Sequence, residues 1–178
     1  MKSDIKTPLR QKFLTLRQKS NIDIASIIVN LDLFLSKQNY TNIGLYCPIN
    51  NEIDVLAILP YLHHNKKISL PRINGSKICF YNWDLEPTNL VLNKKFKFLE
   101  PPEDKESIII PEIIITPLIA FDDNLFRLGY GGGYYDRYFA ENTNILKVGI
   151  ASNLQKSETL LPAEDHDIKL DVIITEIA

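Results

Sequence analysis

Apolar and polar positions repeat along this chain with two different periods, and the changes of period divide it into helices and strands. Leu9, Phe13 and Leu16 stand at i, i+4 and i+7, which predicts a short amphipathic helix with Thr7 as N-cap and Pro8 as its first residue. A longer helix is expected from Asp23 onward, where Ile24, Ile27, Ile28, Leu31, Phe34 and Leu35 share one face. Residues 55–62 also have helical spacing, with Pro60 placed to kink or end the segment. The remaining apolar runs are short and strand-like: 43–47, 68–70, 78–81, 108–115 with a break at Pro111, 147–151 and 172–175. Helices and apolar strands alternate through the first half. That order predicts an α/β fold, a three-layer sandwich with a largely parallel mixed sheet flanked by helices, in a single domain spanning 1–178.

Composition narrows the function classes. The 178 residues carry a net charge of −2, so no polyanion-binding surface is expected and nucleic acid is excluded as a partner. Phosphate chemistry would have to come from a few locally placed cations. Cys47 and Cys79 are isolated, without CxxC spacing, and read as reduced thiols of a cytoplasmic protein. The amino terminus lacks the apolar core of a signal peptide, and no run approaches a membrane span. A soluble cytoplasmic monomer is expected. The polar, proline-rich residues 100–106 read as a surface loop joining two halves of one sheet. His63 and His64 near a helix end, and the isolated His166, show no zinc spacing.

The chemistry concentrates in residues 116–138, TPLIAFDDNLFRLGYGGGYYDRY. Four of the seven glycines fall there, at Gly129, Gly131, Gly132 and Gly133, after Arg127 and before Asp136. A backbone that bends sharply and turns its N–H groups on an anion needs such a cluster. An apolar strand ends at Thr116-Pro117 and a breaker-free helix opens at Tyr134, so the order is strand, connection, glycine loop, helix. The loop is neither a GxxxxGK[ST] nucleotide loop nor a G-x-G-x-x-G dinucleotide loop, because the sixth position of the latter, counted with Gly129 as the first, is Tyr134.

These residues resemble the signature of the 5-formyltetrahydrofolate cyclo-ligase family, whose members are also called 5,10-methenyltetrahydrofolate synthetases. The resemblance extends to Lys6-Thr7-Pro8-Leu9-Arg10, to CPINNE from Cys47 to Glu52, to the Ser69-Leu70-Pro71 turn and to HDIKLDVIIT near the carboxyl end. It implies ATP-dependent cyclisation of 5-formyltetrahydrofolate to 5,10-methenyltetrahydrofolate with release of ADP and phosphate, with Mg²⁺ as cofactor. The alternative within the resemblance is a non-catalytic relative that binds nucleotide or folate. A phosphosugar isomerase or acyl-CoA transferase lacks support, since no paired catalytic carboxylate and histidine is present.

Taken by themselves, Lys6 and Arg10 are cations at a helix start, where each costs ~0.3–1 kcal/mol against the helix dipole. Either an anionic partner or plain solvation accounts for them. The resemblance assigns them, with Thr7, Pro8 and Leu9, to the ATP site. Arg127 stands where a guanidinium reaches a phosphoryl group or braces the loop against Asp122 or Asp123. The resemblance places Arg127, Leu128, Gly129, Tyr130, Gly131, Gly132, Gly133, Tyr134 and Tyr135 around the ATP phosphates. Of these, Tyr130, Gly131, Gly132, Gly133 and Tyr134 also face the folate, together with Cys47 and Glu52. Some relatives carry extra basic residues in the loop, and here Tyr130 and Gly132 are uncharged, which throws the charge compensation onto Arg127, Arg10 and the metal. Asp136 is by position a first-turn acid, and the resemblance makes it a Mg²⁺ ligand, with Asp167 as the second and Asp165 and Asp171 as nearby competitors. Arg127 and Arg10 are the residues implied in catalysis. Trp83, Phe80 and Tyr81 are candidate walls for a flat pterin, with core packing as the other reading.

Overall fold

Both amino-terminal helices form, and the computed structural model describes them within residues 5–62 and 66–177, so His63 and His64 lie outside the described residues. Helix α1 (Lys6–Lys19) starts one residue ahead of Thr7 and has no side-chain cap. Thr7 is therefore not the N-cap, and Pro8 still sits in the first turn, where a missing N–H removes no helical hydrogen bond. Helix α2 (Ile24–Leu35) is capped by Asp23, which accepts from the Ser26 N–H, and it buries Ile27, Ile28, Leu31 and Leu35. Residues Val55–Tyr61 form a 3-10 helix with Pro60 inside it.

The strands in chain order are β1 (Asn42–Gly44), β2 (Lys67–Asn74), β3 (Lys77–Trp83), β4 (Val91–Asn93), β5 (Phe98–Glu100), β6 (Ile108–Ile109), β7 (Ile113–Pro117), β8 (Ala120–Phe121) and β9 (Arg127–Leu128). Helix α3 (Tyr134–Glu141) precedes β10 (Leu146–Ile150) and β11 (Val172–Ile174). Seven strands make one sheet in the order β11-β10-β7-β1-β2-β3-β6, while β4-β5 and β8-β9 are separate ribbons. The pairings from β11 across to β2 are parallel. Those of β3 with β2 and β6 are antiparallel. The largely parallel mixed sheet is as expected.

Three details differ from the sequence reading. Pro71 lies within β2, opposite Phe80, and the turn between β2 and β3 is made at Gly75 instead. Strand β1 pairs with β2 only as far as Ser69, so Pro71 has a neighbour on one side alone, a position proline tolerates. The run 108–115 is two strands, because Pro111 separates β6 at the sheet edge from β7 near its centre. Residues 100–106 consequently link the β4-β5 ribbon to β6 and do not join two halves of one sheet.

Strand β7 shows how the layers are built. Ile113 and Ile115 point to the α2 side, with Leu31, Ile43 and Ile58. Ile114 points to the α3 side, with Phe80, Tyr138 and Phe139. Helix α1 stands apart, packing Phe13 on Ile119, Ala120, Leu128 and Leu161 around the β8-β9 ribbon. From β1 the chain crosses to β2 on one side, and from β7 it crosses through α3 to β10 on the other. The carboxyl ends of β1 and β7 thus flank the point where the winding reverses, the place where such sheets hold ligands.

Candidate active site

A cleft of about 720 Å³ opens at that switch point. Its floor comes from the exits of the parallel strands: Tyr46, Cys47 and Ile49 after β1, Pro71 and Ile73 on β2, and Pro117 on β7. The glycine loop forms one wall. Gly131 has φ 93 and Gly133 has φ 62, conformations that side-chain-bearing residues rarely adopt. Gly133 is the N-cap of α3, so the loop leads directly onto the amides of a helix start, with Asp136 in the first turn.

Helix α1 lays its first turn along this wall. Arg10 Nε donates to the Gly129 carbonyl at 2.9 Å. Lys6 Nζ lies 2.6 Å from Asp167 and 2.8 Å from Glu164. Burial works against the Lys6 ammonium, yet the bonds from Asp167 and Glu164 outweigh it and raise its pKa. Lys6 and Arg10, one helical turn apart, both line the cleft. Thr7 and Pro8 are exposed, and Leu9 packs into the α1 core, so the structure brings none of these three into the cleft. Helical periodicity turns them away.

Arg127 is almost fully buried. It donates to the Ile168 carbonyl at 2.7 Å and to Asp136 Oδ1 at 2.9 Å, and stands 5.6 Å from the Phe139 ring centre. Asp136 Oδ1 also accepts from the Ile168 N–H at 3.0 Å. The brace is therefore to Asp136, and not to Asp122 or Asp123. Asp122 accepts from the N–H groups of Asn124, Phe126 and Leu161, and Asp123 pairs with Lys156. Among the described residues, the acids and imidazole that come together are Glu164, His166 and Asp167. Asp136, held by Arg127, stands outside that group. Asp171 pairs with Lys147 at the start of β10, and Asp165 does not line the cleft.

The opposite wall holds Glu52. Asn50 and Asn51 both adopt left-handed backbone, at φ 47 and φ 60, which asparagine accepts more readily than most residues. The turn brings Glu52 back so that its Oε2 accepts from the Ile49 N–H at 2.8 Å. Burial pushes the Glu52 carboxyl up to about 7, against the Ile49 N–H, the Arg17 charge and the Tyr130 hydroxyl. Cys47 lines the cleft and packs against the α2-side core, and burial pushes its thiol up to about 11, which disfavours the thiolate.

Phe80, Tyr81 and Trp83 are core residues and do not line the cleft, because β3 is covered on both faces. The aromatic wall is made instead by Phe96 and Phe98 of the β4-β5 ribbon, with Phe96 set edge-on to Tyr134 at 6.0 Å. The sequence signal was available: Phe96 and Phe98 sit in a lysine-rich stretch with no core periodicity. Arg17 was also missed, although as a cation one turn beyond Phe13 it falls on the apolar stripe of α1.

A glycine loop on helix amides, flanked by cations and facing a half-buried carboxylate at a strand-order reversal, defines the class: an α/β protein with a cleft of the kind that holds small anionic ligands. The chain belongs to the 5-formyltetrahydrofolate cyclo-ligase family, whose model matches residues 2–176. It is 30% identical over 148 residues to a 5-formyltetrahydrofolate cyclo-ligase of Haemophilus influenzae, covering 79% of each chain. It is 29% identical over 180 residues to that of Mycoplasma pneumoniae, covering 98% of each. The solved 5,10-methenyltetrahydrofolate synthetase of Aquifex aeolicus superposes with a TM-score of 0.80 at 32% identity, over 97% of this chain and 90% of that one. The Mycoplasma pneumoniae synthetase gives 0.73 at 28% identity, over 96% and 98%.

Proposed function

We propose that this chain is a ligase that converts 5-formyltetrahydrofolate to 5,10-methenyltetrahydrofolate at the expense of ATP, releasing ADP and phosphate, within folate one-carbon metabolism. The observation that carries this reading is the shared cleft: the glycine loop with Lys6 and Arg10 faces Glu52, Phe96 and Phe98 across one space. Homologues bearing the cyclo-ligase name over most of the chain favour the enzyme over a non-catalytic binder.

The chemistry asks for alignment more than for a nucleophile. A formamide oxygen leaves poorly, so closure by N10 stalls until that oxygen carries a phosphoryl group taken from ATP. N10 then attacks the formyl carbon and gives up its proton to solvent, and phosphate departs with the original oxygen. Amides of residues 129–133, Arg10 and Lys6 hold the triphosphate in line with the formyl oxygen. Arg127 keeps the first turn of α3 against residues 164–168 and adds positive charge behind the transferred group. Glu52 takes donor nitrogens of the pterin, and Phe96, Phe98 and Tyr134 enclose its ring.

Magnesium fits the site. Asp136, Glu164 and Asp167 are hard oxygen donors lining the cleft, and the Lys6 ammonium already stands as a cation between Glu164 and Asp167. Glu164 and Asp167, whose oxygens lie together, would hold Mg²⁺, with Asp136 as a further donor from outside their group, and the bound metal would neutralise phosphate oxygens. The free thiols Cys47 and Cys79 suit a cytoplasmic setting. Among the described residues no helix is long and apolar enough to cross a membrane.

The test is direct. Purified protein mixed with 5-formyltetrahydrofolate and Mg-ATP should produce the ultraviolet band of the methenyl product with one ADP per product. Protein that binds both ligands yet forms no methenyl band would overturn the enzyme assignment.

A further inference from the structure

Behind the cleft lies a cation that the reaction does not touch. Arg17 is buried on the inner face of α1 and does not line the cleft. Its Nη2 donates to the Asn50 carbonyl at 2.7 Å and to the Tyr130 hydroxyl at 2.8 Å, and its Nη1 donates to the Leu118 carbonyl at 3.3 Å. Those three acceptors belong to the turn after β1, the glycine loop and the exit of β7. No carboxylate lies within ion-pair distance of it among the described residues, and its Nε is buried without a hydrogen-bond partner. A buried guanidinium so incompletely satisfied is expensive to keep in a fold. The Arg17 charge and the Tyr130 hydroxyl both favour the charged form of Glu52, and Asn50, whose carbonyl Arg17 holds, lies two residues before Glu52 in the same turn. One side chain therefore ties the phosphate wall of the cleft to its pterin wall.

We propose that Arg17 is a positioning residue for the reaction: through Tyr130 and Asn50 it locks the glycine loop against the Glu52 turn, so that nucleotide and folate are bound in register and each strengthens the other. The inference rests on the folate and nucleotide reading of the cleft. Without Arg17 the paired Nη2 bonds that join the Asn50 turn to the Tyr130 loop are gone. Each ligand then orders its own wall and gains nothing from the other, so the coupling disappears while the individual contacts survive.

Titration calorimetry measures the coupling without turnover. Affinity for 5-formyltetrahydrofolate is measured with and without a non-hydrolysable ATP analogue and Mg²⁺, in wild type, Arg17→Gln, Arg17→Lys, Tyr130→Phe and the Arg17→Gln/Tyr130→Phe double variant. Wild-type binding of both ligands tests the cleft assignment, and the variants test Arg17. The expected result is tighter folate binding with the analogue present in wild type, and loss of that enhancement in Arg17→Gln and Tyr130→Phe. The folate KM should rise about 10- to 100-fold, as for loss of a buried charge-assisted hydrogen bond, with a smaller change in kcat. Arg17→Lys should recover part of the enhancement, and the double variant should be no worse than either single one. Should Arg17→Gln fail to fold, Tyr130→Phe decides, since it leaves Arg17 with Asn50 and Leu118. Overturning results are undiminished enhancement in folded Arg17→Gln or Tyr130→Phe, or strictly additive losses in the double variant.

Discussion

Glu52 is held in a protonation balance that an exposed carboxylate would never show. Its carboxyl lies at about 7 instead of the usual 4.5 because burial opposes the charge more strongly than the Ile49 N–H, Arg17 and Tyr130 favour it. Below the ordinary value the group is protonated whether the chain is folded or not, and it contributes nothing. Between that value and about 7 the unfolded chain loses the proton while the folded protein keeps it, so stability falls as pH rises. Above that window the full cost, on the order of 3 kcal/mol, is present. Glu52→Gln should therefore be more stable than wild type in urea unfolding at about pH 8 and equal to it at about pH 4. The same variant should raise the folate KM at least tenfold, by about the loss of one charge-assisted hydrogen bond. Equal stability at the higher pH would mean that Glu52 is solvated.

The glycine loop shows what an element adds beyond its residues. Gly131 combines φ 93 with a position where a Cβ would lie 3.2 Å from the Arg10 guanidinium. Gly131→Ala meets both difficulties and should cost about 1–3 kcal/mol in unfolding free energy, with a raised KM for ATP. Gly129→Ala has open space around its Cβ and no left-handed φ, so its stability should change by less than about 0.5 kcal/mol. The contrast, read by thermal unfolding, separates loop conformation from glycine content. Equal destabilisation at the two positions would disprove this division of roles. The pattern of the chain exposed the loop, yet only its folded path separates the glycine that must be left-handed from the one with room to spare.

On the scale of the molecule, the cleft joins parts with unequal support. The β1 and β7 exits rest on the main sheet, whereas α1 stands on a small separate core around Phe13 and Leu128. The segment carrying Glu164 and Asp167 reaches α1 through Lys6. These outer parts should open locally more often than the sheet. Mg-ATP, bridging α1, the loop and residues 164–168, should slow amide exchange in all three together and leave β1 and β7 unchanged. Protection confined to the loop would show that α1 takes no part in nucleotide binding.

Local pattern determined much of this protein. The period of Ile27, Ile28, Leu31 and Leu35 specified a buried helix face, and the apolar run at 113–115 specified a strand covered on both sides. The crowding of glycines between Arg127 and Asp136 marked the site. These are short-range properties, set by which neighbours in the chain share a face or need an unusual φ. Partner choice across the sequence belonged to the tertiary structure alone. Nothing in the spacing shows that Arg127 takes Asp136, that Lys6 spans Glu164 and Asp167, or that Phe96 and not Trp83 faces the cleft. Nor does it show that Arg17 bonds Tyr130, 113 residues away. Such contacts depend on where the sheet order and the short ribbons bring separated segments, and that placement is decided by burial of the whole core at once.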